Sequence, residues 1–528
     1  MSRTTLSDLG DARMSDDEEQ HTDAARGLRQ VLPWIALVIA TGAGALLSVG
    51  AFLGLYVRPT SDDWCALWKT RDMGVLGITS DFYLTQNGRV TNAFLTGLLY
   101  SDGMRGPKLL PAFLVVALGS GLFLLARAAL RSLHHATGTR AEPAALAEPR
   151  PRLPVVPLVA AAGLLSALLF FAGTRSYQVL LWAPATISHT LPSVIGLWTV
   201  LGAVRAARSG VRWARIAAVG AVLLTGAALG MLSEPFTLVA GLLAATVGIL
   251  CLPWFGWAAN RYVSTWCAAA CLGLLLGLVL LYTSPGARWR RAQHPQEPLS
   301  AAQLGETFQD WWRLWQTVGG QWAYLGALAV GALLGLALAA APRQDGSAVP
   351  RDASGLPPRR LFLVAVLLPL PLIALASLAV VFGLRSGYGD VGWTYGRTWT
   401  SFLLPMLLVL CAYGAWGGHV WGRRLLKPAR PAGRAAALVA IGAVAVGSAA
   451  ALVQPVYALT TDTVVRAAAW DRQNARIRAE VAAGARDVAY QPLLIGGLSE
   501  PLFASSYRRD WAAQCTATYY GVDRIHRP

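Results

Sequence analysis

Charge is scarce in this chain: only 14% of its 528 residues are Asp, Glu, Lys or Arg, where a soluble globular domain carries roughly a quarter. That deficit excludes an ordinary water-soluble fold, in keeping with 55% hydrophobic content and a mean hydropathy of +0.46. Cysteine and histidine are few, at six and seven, and they form no spaced Cys/His set of the kind that holds zinc. His134 and His135 are adjacent but too few for such a set. There is no Gly-x-x-x-x-Gly-Lys phosphate loop and no repeat at a fixed period, so neither a nucleotide-phosphate site of that type nor a solenoid is indicated.

What is abundant is apolar sequence in runs of the roughly 20 residues that a membrane-crossing helix needs. About eleven such runs are expected: Val31 to Val57, Leu109 to Leu130, Leu153 to Ala172, Pro184 to Val204, Ile216 to Leu232, Pro235 to Trp254, Val263 to Thr283, Trp322 to Ala341, Leu361 to Phe382, Trp399 to Trp421 and Ala435 to Leu459. The fold class is therefore an all-α polytopic membrane protein. Arginine and lysine crowd the loops after the second, fourth, eighth and tenth runs, among them Arg131, Arg208, Arg212, Arg215, Arg359, Arg423 and Arg424. Basic residues near span ends resist export, so these loops are expected to be cytoplasmic. The same bias accounts for much of the formal charge of +17 without invoking nucleic acid.

Residues 1 to 30 are polar, carry Asp16-Asp17-Glu18-Glu19, and lack the basic start and short apolar core of a cleaved signal. They read as a disordered cytoplasmic tail. A transmembrane domain follows over 31 to 459, with loops at 57–108 and 284–321 expected outside the cytoplasm. A small α/β module over 460 to 528 completes that side, and the C-terminus is expected to be extracytoplasmic. The stretches Leu133 to Arg152 and Pro342 to Arg360 have linker composition. In the C-terminal module, a helix from Trp470 to Ala483, a stop at Gly484, an extended segment from Asp487 to Ile495 and a helix from Asp510 to Tyr520 are expected.

Chemistry concentrates on that same side. Ser61-Asp62-Asp63-Trp64 follows the first run directly. A carboxylate there can take a proton from an acceptor hydroxyl, or it can cap an interfacial helix, whose N-terminal dipole favours acids. Two short helices are expected in this loop, Asp62 to Met73 and Ser80 to Tyr100, and the second carries Asn87-Gly88-Arg89. Glu234 occupies a tight turn between the fifth and sixth runs, a depth at which an ionisable group is a functional candidate. Arg288 leaves the seventh run and Arg397 enters the tenth, each close to glycine, and planar guanidinium groups suit phosphate oxygens. His189, near the outer end of the fourth run, is a candidate proton carrier or a structural donor. The tryptophans between Thr307 and Tyr324 fit an interfacial aromatic belt better than a sugar platform. Cys65 and Cys515 are the two cysteines placed outside the runs, and in an oxidising compartment such a pair is expected to bridge, the alternative being two free thiols.

Taken together, Asp62-Asp63-Trp64-Cys65, Asn87-Gly88-Arg89, Ser284-Pro285-Gly286 with Arg288, Trp470-Asp471, Asp510-Trp511 and Cys515 through Gly521 resemble a bacterial family of polytopic membrane proteins grouped with the GT-C glycosyltransferases. The resemblance implies an enzyme of the plasma membrane that transfers sugar from a polyprenyl-phosphate donor to an extracytoplasmic glycan, lipid or protein. It implies Asp62 as general base and Asp63 as its partner, with Arg89, Arg288 and Arg397 expected on the donor phosphate. Family members often read Pro-Gly-Asn where this chain has Pro285-Gly286-Ala287, so one amide contact is missing here. No cofactor is required by the sequence, although paired carboxylates facing phosphate would suit Mg2+ or Mn2+. The rival class is a transporter or flippase of lipid-linked sugars, which would place ionisable groups along a path at mid-membrane.

Overall fold

The computed structural model describes residues 6–137, 154–255, 259–293, 300–340, 359–425, 431–495, 498–499 and 510–528. Most of them are helical. In chain order the first helices are α1 (Leu6–Leu53), α2 (Asp62–Thr85), α3 (Val90–Tyr100), α4 (Arg105–Thr137), α5 (Val155–Phe171), the short α6 (Ala183–Ala185), α7 (Leu191–Arg208), α8 (Arg212–Gly230) and α9 (Glu234–Leu250). They continue as α10 (Arg261–Thr283), α11 (Pro285–Gln293), α12 (Ala301–Gly320), α13 (Leu325–Ala339), α14 (Arg359–Leu367), α15 (Pro369–Tyr388), α16 (Thr400–Leu425), α17 (Pro431–Ala451), α18 (Val453–Ala482) and α19 (Trp511–Tyr520).

Among the described residues, nine helical segments are long and apolar enough to cross a membrane, so the architecture is that of an all-α polytopic membrane protein. Two of the eleven expected runs instead form helices of 17 residues, α5 and α9. Helix α5 is buried along most of its length and packs against α1, α4, α13 and α16, so its neighbours are protein. Its apolar composition therefore reports a core position rather than a lipid-facing one. Helix α1 also differs from expectation, because residues 6 to 30 belong to it. Once a span has met the nucleation cost, Ala-, Arg- and Glu-bearing sequence ahead of it extends the helix residue by residue. Most of the two stretches with linker composition lies outside the described residues, in the intervals 138–153 and 341–358.

Glycine stripes bring two helix pairs into backbone contact. On α8 and α10, Gly226 and Gly230 face Gly273 and Gly277, and a Cβ built on Gly230 would lie 2.9 Å from the Gly277 Cα. On α13 and α16, Gly331 and Gly335 meet the carbonyls of Cys411 and Ala415, while Gly414 and Gly418 meet those of Leu328 and Ala332. Small residues four apart let helices approach closely where lipid offers no hydrophobic drive for association.

The C-terminal module continues from the last span, with the single turn residue Leu452 between α17 and α18. Helix α18 runs to Ala482, and Gly484, at φ +95°, turns the chain into β1 (Asp487–Ala489). Strand β1 pairs in parallel with β4 (Arg524–His526), while β2 (Leu494–Ile495) and β3 (Leu498–Ser499) form a second, antiparallel pair. Helix α19 is capped by the Asp510 carboxylate, which accepts the amides of Ala512 and Ala513, and ends at Gly521 in the left-handed region.

Candidate functional site

The acidic pair sits on a constrained backbone. Ser61, at φ +50° and ψ −120°, is the only non-glycine residue with positive φ among the described residues. Such conformations persist where surrounding contacts over-determine them. Asp63 is buried: its Oδ1 accepts the Tyr100 hydroxyl and its Oδ2 accepts the Thr60 amide at 2.9 Å. The Asp62 carboxylate has no hydrogen-bond partner among the described residues. It is accessible to solvent, yet protein crowds its wider surroundings closely enough that desolvation raises its pKa. Arg397, Arg89 and Arg290 oppose that rise electrostatically, which brings three guanidinium groups within reach of this one carboxylate.

Burial pushes the Asp63 carboxyl up to about 7, against the lowering effect of its bonds from Tyr100 and Thr60. An unfolded aspartate titrates near ~4. Between these values the folded chain keeps a proton that the unfolded chain has released, so this group stabilises most below pH ~4 and its contribution is lost as pH rises through its folded pKa. Thermal unfolding of the wild-type protein is expected to lose stability over that window relative to Asp63→Asn, whose amide can still donate to Tyr100 and accept from Thr60. Parallel pH profiles for the two proteins would assign the titration to another group.

The groups around Asp62 come from distant segments. Asn87-Gly88-Arg89 interrupts what the sequence predicts as one helix from Ser80 to Tyr100: Gly88 takes φ +75°, and the Asn87 Oδ1 accepts the Arg89 amide at 3.1 Å. A side chain at Gly88 would collide with Ser284 Oγ, and one at Gly286 would sit 2.6 Å from the Gln86 amide nitrogen. The two turns therefore pack glycine to backbone, and Arg89 is aimed by that contact. It pairs with Glu234 at 2.8 Å, at the N-terminus of α9, so each largely neutralises the other. Tyr282 and Tyr388 lie close enough to act on Arg89 electrostatically.

Arg397 approaches from the segment before α16. It donates to Gln178 Oε1 at 3.2 Å and lies over the rings of Trp182 and Tyr395, at 5.4 and 4.8 Å from their centroids. Gln178 and Trp182 belong to an irregular stretch between α5 and α7, where π-helical turns at Tyr177–Leu181 and Thr186–Thr190 flank α6. Such turns are frequent at functional sites. The second turn carries His189, within electrostatic reach of Arg397 and Arg89, whose carbonyl accepts the Thr400 hydroxyl and whose Nδ1 has no partner among the described residues.

Asp62, Asp63, Asn87, Arg89, His189, Glu234 and Arg397 thus share one region. The Arg288 side chain is exposed and makes no bond among the described residues, whereas its neighbour Arg290 acts on Asp62 electrostatically. Sequence reasoning also missed Arg175, Gln178, Trp182 and Tyr100. Arg175 carried a signal, as an arginine just beyond α5 at the end of the bundle away from the basic loops. The residues do not fit a resident divalent ion well: both Asp63 oxygens are engaged, Asp62 is left as the one free carboxylate of the pair, and guanidinium groups already supply positive charge. Among the described residues no group of three or more His, Cys, Asp or Glu side chains converges.

The C-terminal module grips the loop that carries the acids. Arg466 on α18 donates to the carbonyls of Arg58 and Pro59, the latter at 2.8 Å. Arg58 forms a two-pronged pair with Asp471 at 2.7 and 2.9 Å. Cys65 is bonded to Cys515, and Trp64 is enclosed by the rings of Trp470, Tyr490, Tyr519 and Tyr520, with centroids 5.1–6.1 Å away. The tryptophan-bearing helix α12 is more deeply engaged than a belt requires: Trp311 and Trp315 both donate to Ser377 on α15, and buried Asp310 pairs with Arg385. Trp312 and Trp322 remain exposed. Comparison of the chain with protein-family models, with curated proteins and with solved structures finds no match.

Proposed function

We propose that this protein is an integral membrane glycosyltransferase that moves a sugar from a polyprenyl-phosphate donor to an acceptor hydroxyl, at the outer surface of a bacterial plasma membrane. The observation that carries the reading is Asp62: an accessible carboxylate crowded by protein, without a hydrogen-bond partner among the described residues and within electrostatic reach of Arg397, Arg89 and Arg290. In the proposed step the acceptor oxygen bonds to the anomeric carbon as the bond from that carbon to the phosphate oxygen breaks. The acceptor proton passes to Asp62, and the departing lipid phosphate keeps the bonding electrons.

Each residue has a defined part in that scheme. The raised pKa of Asp62 makes it a stronger base than an ordinary aspartate. Arg397 and Arg290 oppose the charge that grows on the leaving phosphate, and Arg89 does so with its charge moderated by Glu234. Asp63 holds the start of α2 through Tyr100 and Thr60 and so positions its neighbour. With the basic loops inside, the acidic pair and the C-terminus lie outside the cytoplasm, where the Cys65–Cys515 bond is chemically at home. The exterior acceptor is a glycan, lipid or protein bearing a hydroxyl.

Purified protein in lipid nanodiscs is expected to transfer or hydrolyse the sugar of at least one member of a panel of polyprenyl-phosphate sugars. Absence of turnover with every donor, together with sugar-lipid movement between leaflets in proteoliposomes, would replace this reading with the flippase one.

A further inference from the structure

Tyr388 is the last residue of α15, and the chain leaves it through Gly389 at φ +70°. Two anchors fix where that helix end lies. One turn earlier, Arg385 pairs with Asp310 and Glu306 of α12. Just beyond, a side chain at Gly392 would collide with the Leu384 carbonyl, so the loop is pressed against the helix it leaves. Helix α15 also packs against α9, whose first residue is Glu234, the partner of Arg89. Tyr388 thus stands between the Arg89 pair and the Arg397 segment: its ring packs on Tyr395 with centroids 4.7 Å apart, and the Arg397 guanidinium lies 4.8 Å from the centroid of that same Tyr395 ring.

The rest of the ring is open. Tyr388 is 44% exposed, its hydroxyl has no partner among the described residues, and side chains built on Gly387 or Gly389 would meet nothing within 4 Å. An aromatic belt uses tyrosine as well, but a belt residue has no need to touch the site, and Tyr388 stands against Tyr395 and within electrostatic reach of Arg89. A flat, open aromatic face beside cations suits a sugar bound through a phosphate. The C–H bonds on one face of a sugar ring carry partial positive charge and stack on the negative face of an aromatic ring, while a tyrosine hydroxyl offers a hydrogen bond at the edge. A sugar linked through one oxygen to a phosphate on Arg89 and Arg397 lies next to that phosphate, and Tyr388 offers it an open ring there.

Resting on the glycosyltransferase reading, we infer that Tyr388 is a sugar-binding residue, with the ring of the donor sugar stacked on its exposed face. The test measures binding of farnesyl phosphodiesters carrying a methyl group, mannose, glucose, galactose or arabinose to the full chain in nanodiscs of zwitterionic lipid. All share one tail and one diester charge, so bilayer partitioning and the arginine contacts cancel. At least one glycosylated probe is expected to bind about tenfold more tightly than the methyl diester. Tyr388→Ala is expected to remove that gain while leaving the methyl diester unaffected, Tyr388→Phe to keep most of it, and Val391→Ala, which trims an exposed side chain of the same loop, to leave it intact. A gain that survives Tyr388→Ala, falls equally in Val391→Ala, or is absent from the wild type with every sugar would overturn the sugar contact and leave the transferase reading to its turnover assay. Failure of the wild type to bind any probe would overturn both.

Discussion

Asp62→Asn is expected to lower kcat on the order of 10³-fold, within the range that removal of a positioned general base costs, while the protein stays folded. The substitution is nearly isosteric and orphans no donor, since the Asp62 carboxylate has no hydrogen-bond partner among the described residues. Its one structural contribution is the charge at the start of α2, a dipole effect of about 0.3–1 kcal/mol. Rate and stability therefore separate. A loss of turnover with an unfolding temperature close to wild type supports the base, whereas near-normal turnover with a small drop in stability would leave Asp62 as a helix-capping acid. Single-turnover rates with saturating donor are the measurement to make, because a donor-binding defect would otherwise pass for a chemical one.

Trp64→Ala is expected to cost about 3–5 kcal/mol, the usual range for emptying a buried tryptophan site. Trp64 is 1% exposed and touches four aromatic rings, all contributed by the C-terminal module. Aromatic pairs add to area burial, and the four rings cannot collapse inward together because they come from three segments, Trp470 on α18, Tyr490 after β1, and Tyr519 and Tyr520 on α19. The module would then stay tethered through Cys65–Cys515 and Arg58–Asp471 but lose its seat. Limited proteolysis should nick the segment after Ala482 in the variant under conditions that spare the wild type. Unchanged protease resistance and an unchanged unfolding temperature would mean that the module is held by other contacts.

Much of the fold was legible because lipid imposes a simple rule: backbone must be satisfied within each crossing segment, so long apolar runs become helices. The C-terminal elements were legible for a different reason, since Gly484 and Gly521 stop helices and Asp510 starts one. The break at Asn87-Gly88-Arg89 was not, because the left-handed Gly88 is enforced by Ser284, which lies far along the chain. The site was half legible. Asp62 and Asp63 stand out where acids are rare, but their distances to Arg89, Glu234 and Arg397 depend on which helices are neighbours, and hydropathy is silent on that. Arg466 was invisible for the same reason: on a polar helix it resembles any exposed arginine until the carbonyls of Arg58 and Pro59 are found beneath it.

That last contact has a consequence for how the protein is made. Arg466 and Pro59 are 407 residues apart, and a ribosome adding 5–20 residues per second needs roughly 20–80 s to bridge the interval. For that time the first loop waits on the membrane with its clamp unmade. A chain that stops short of its final helices would insert nearly every span and still leave the first loop without the contacts of Arg466, Cys515 and the aromatic rings around Trp64.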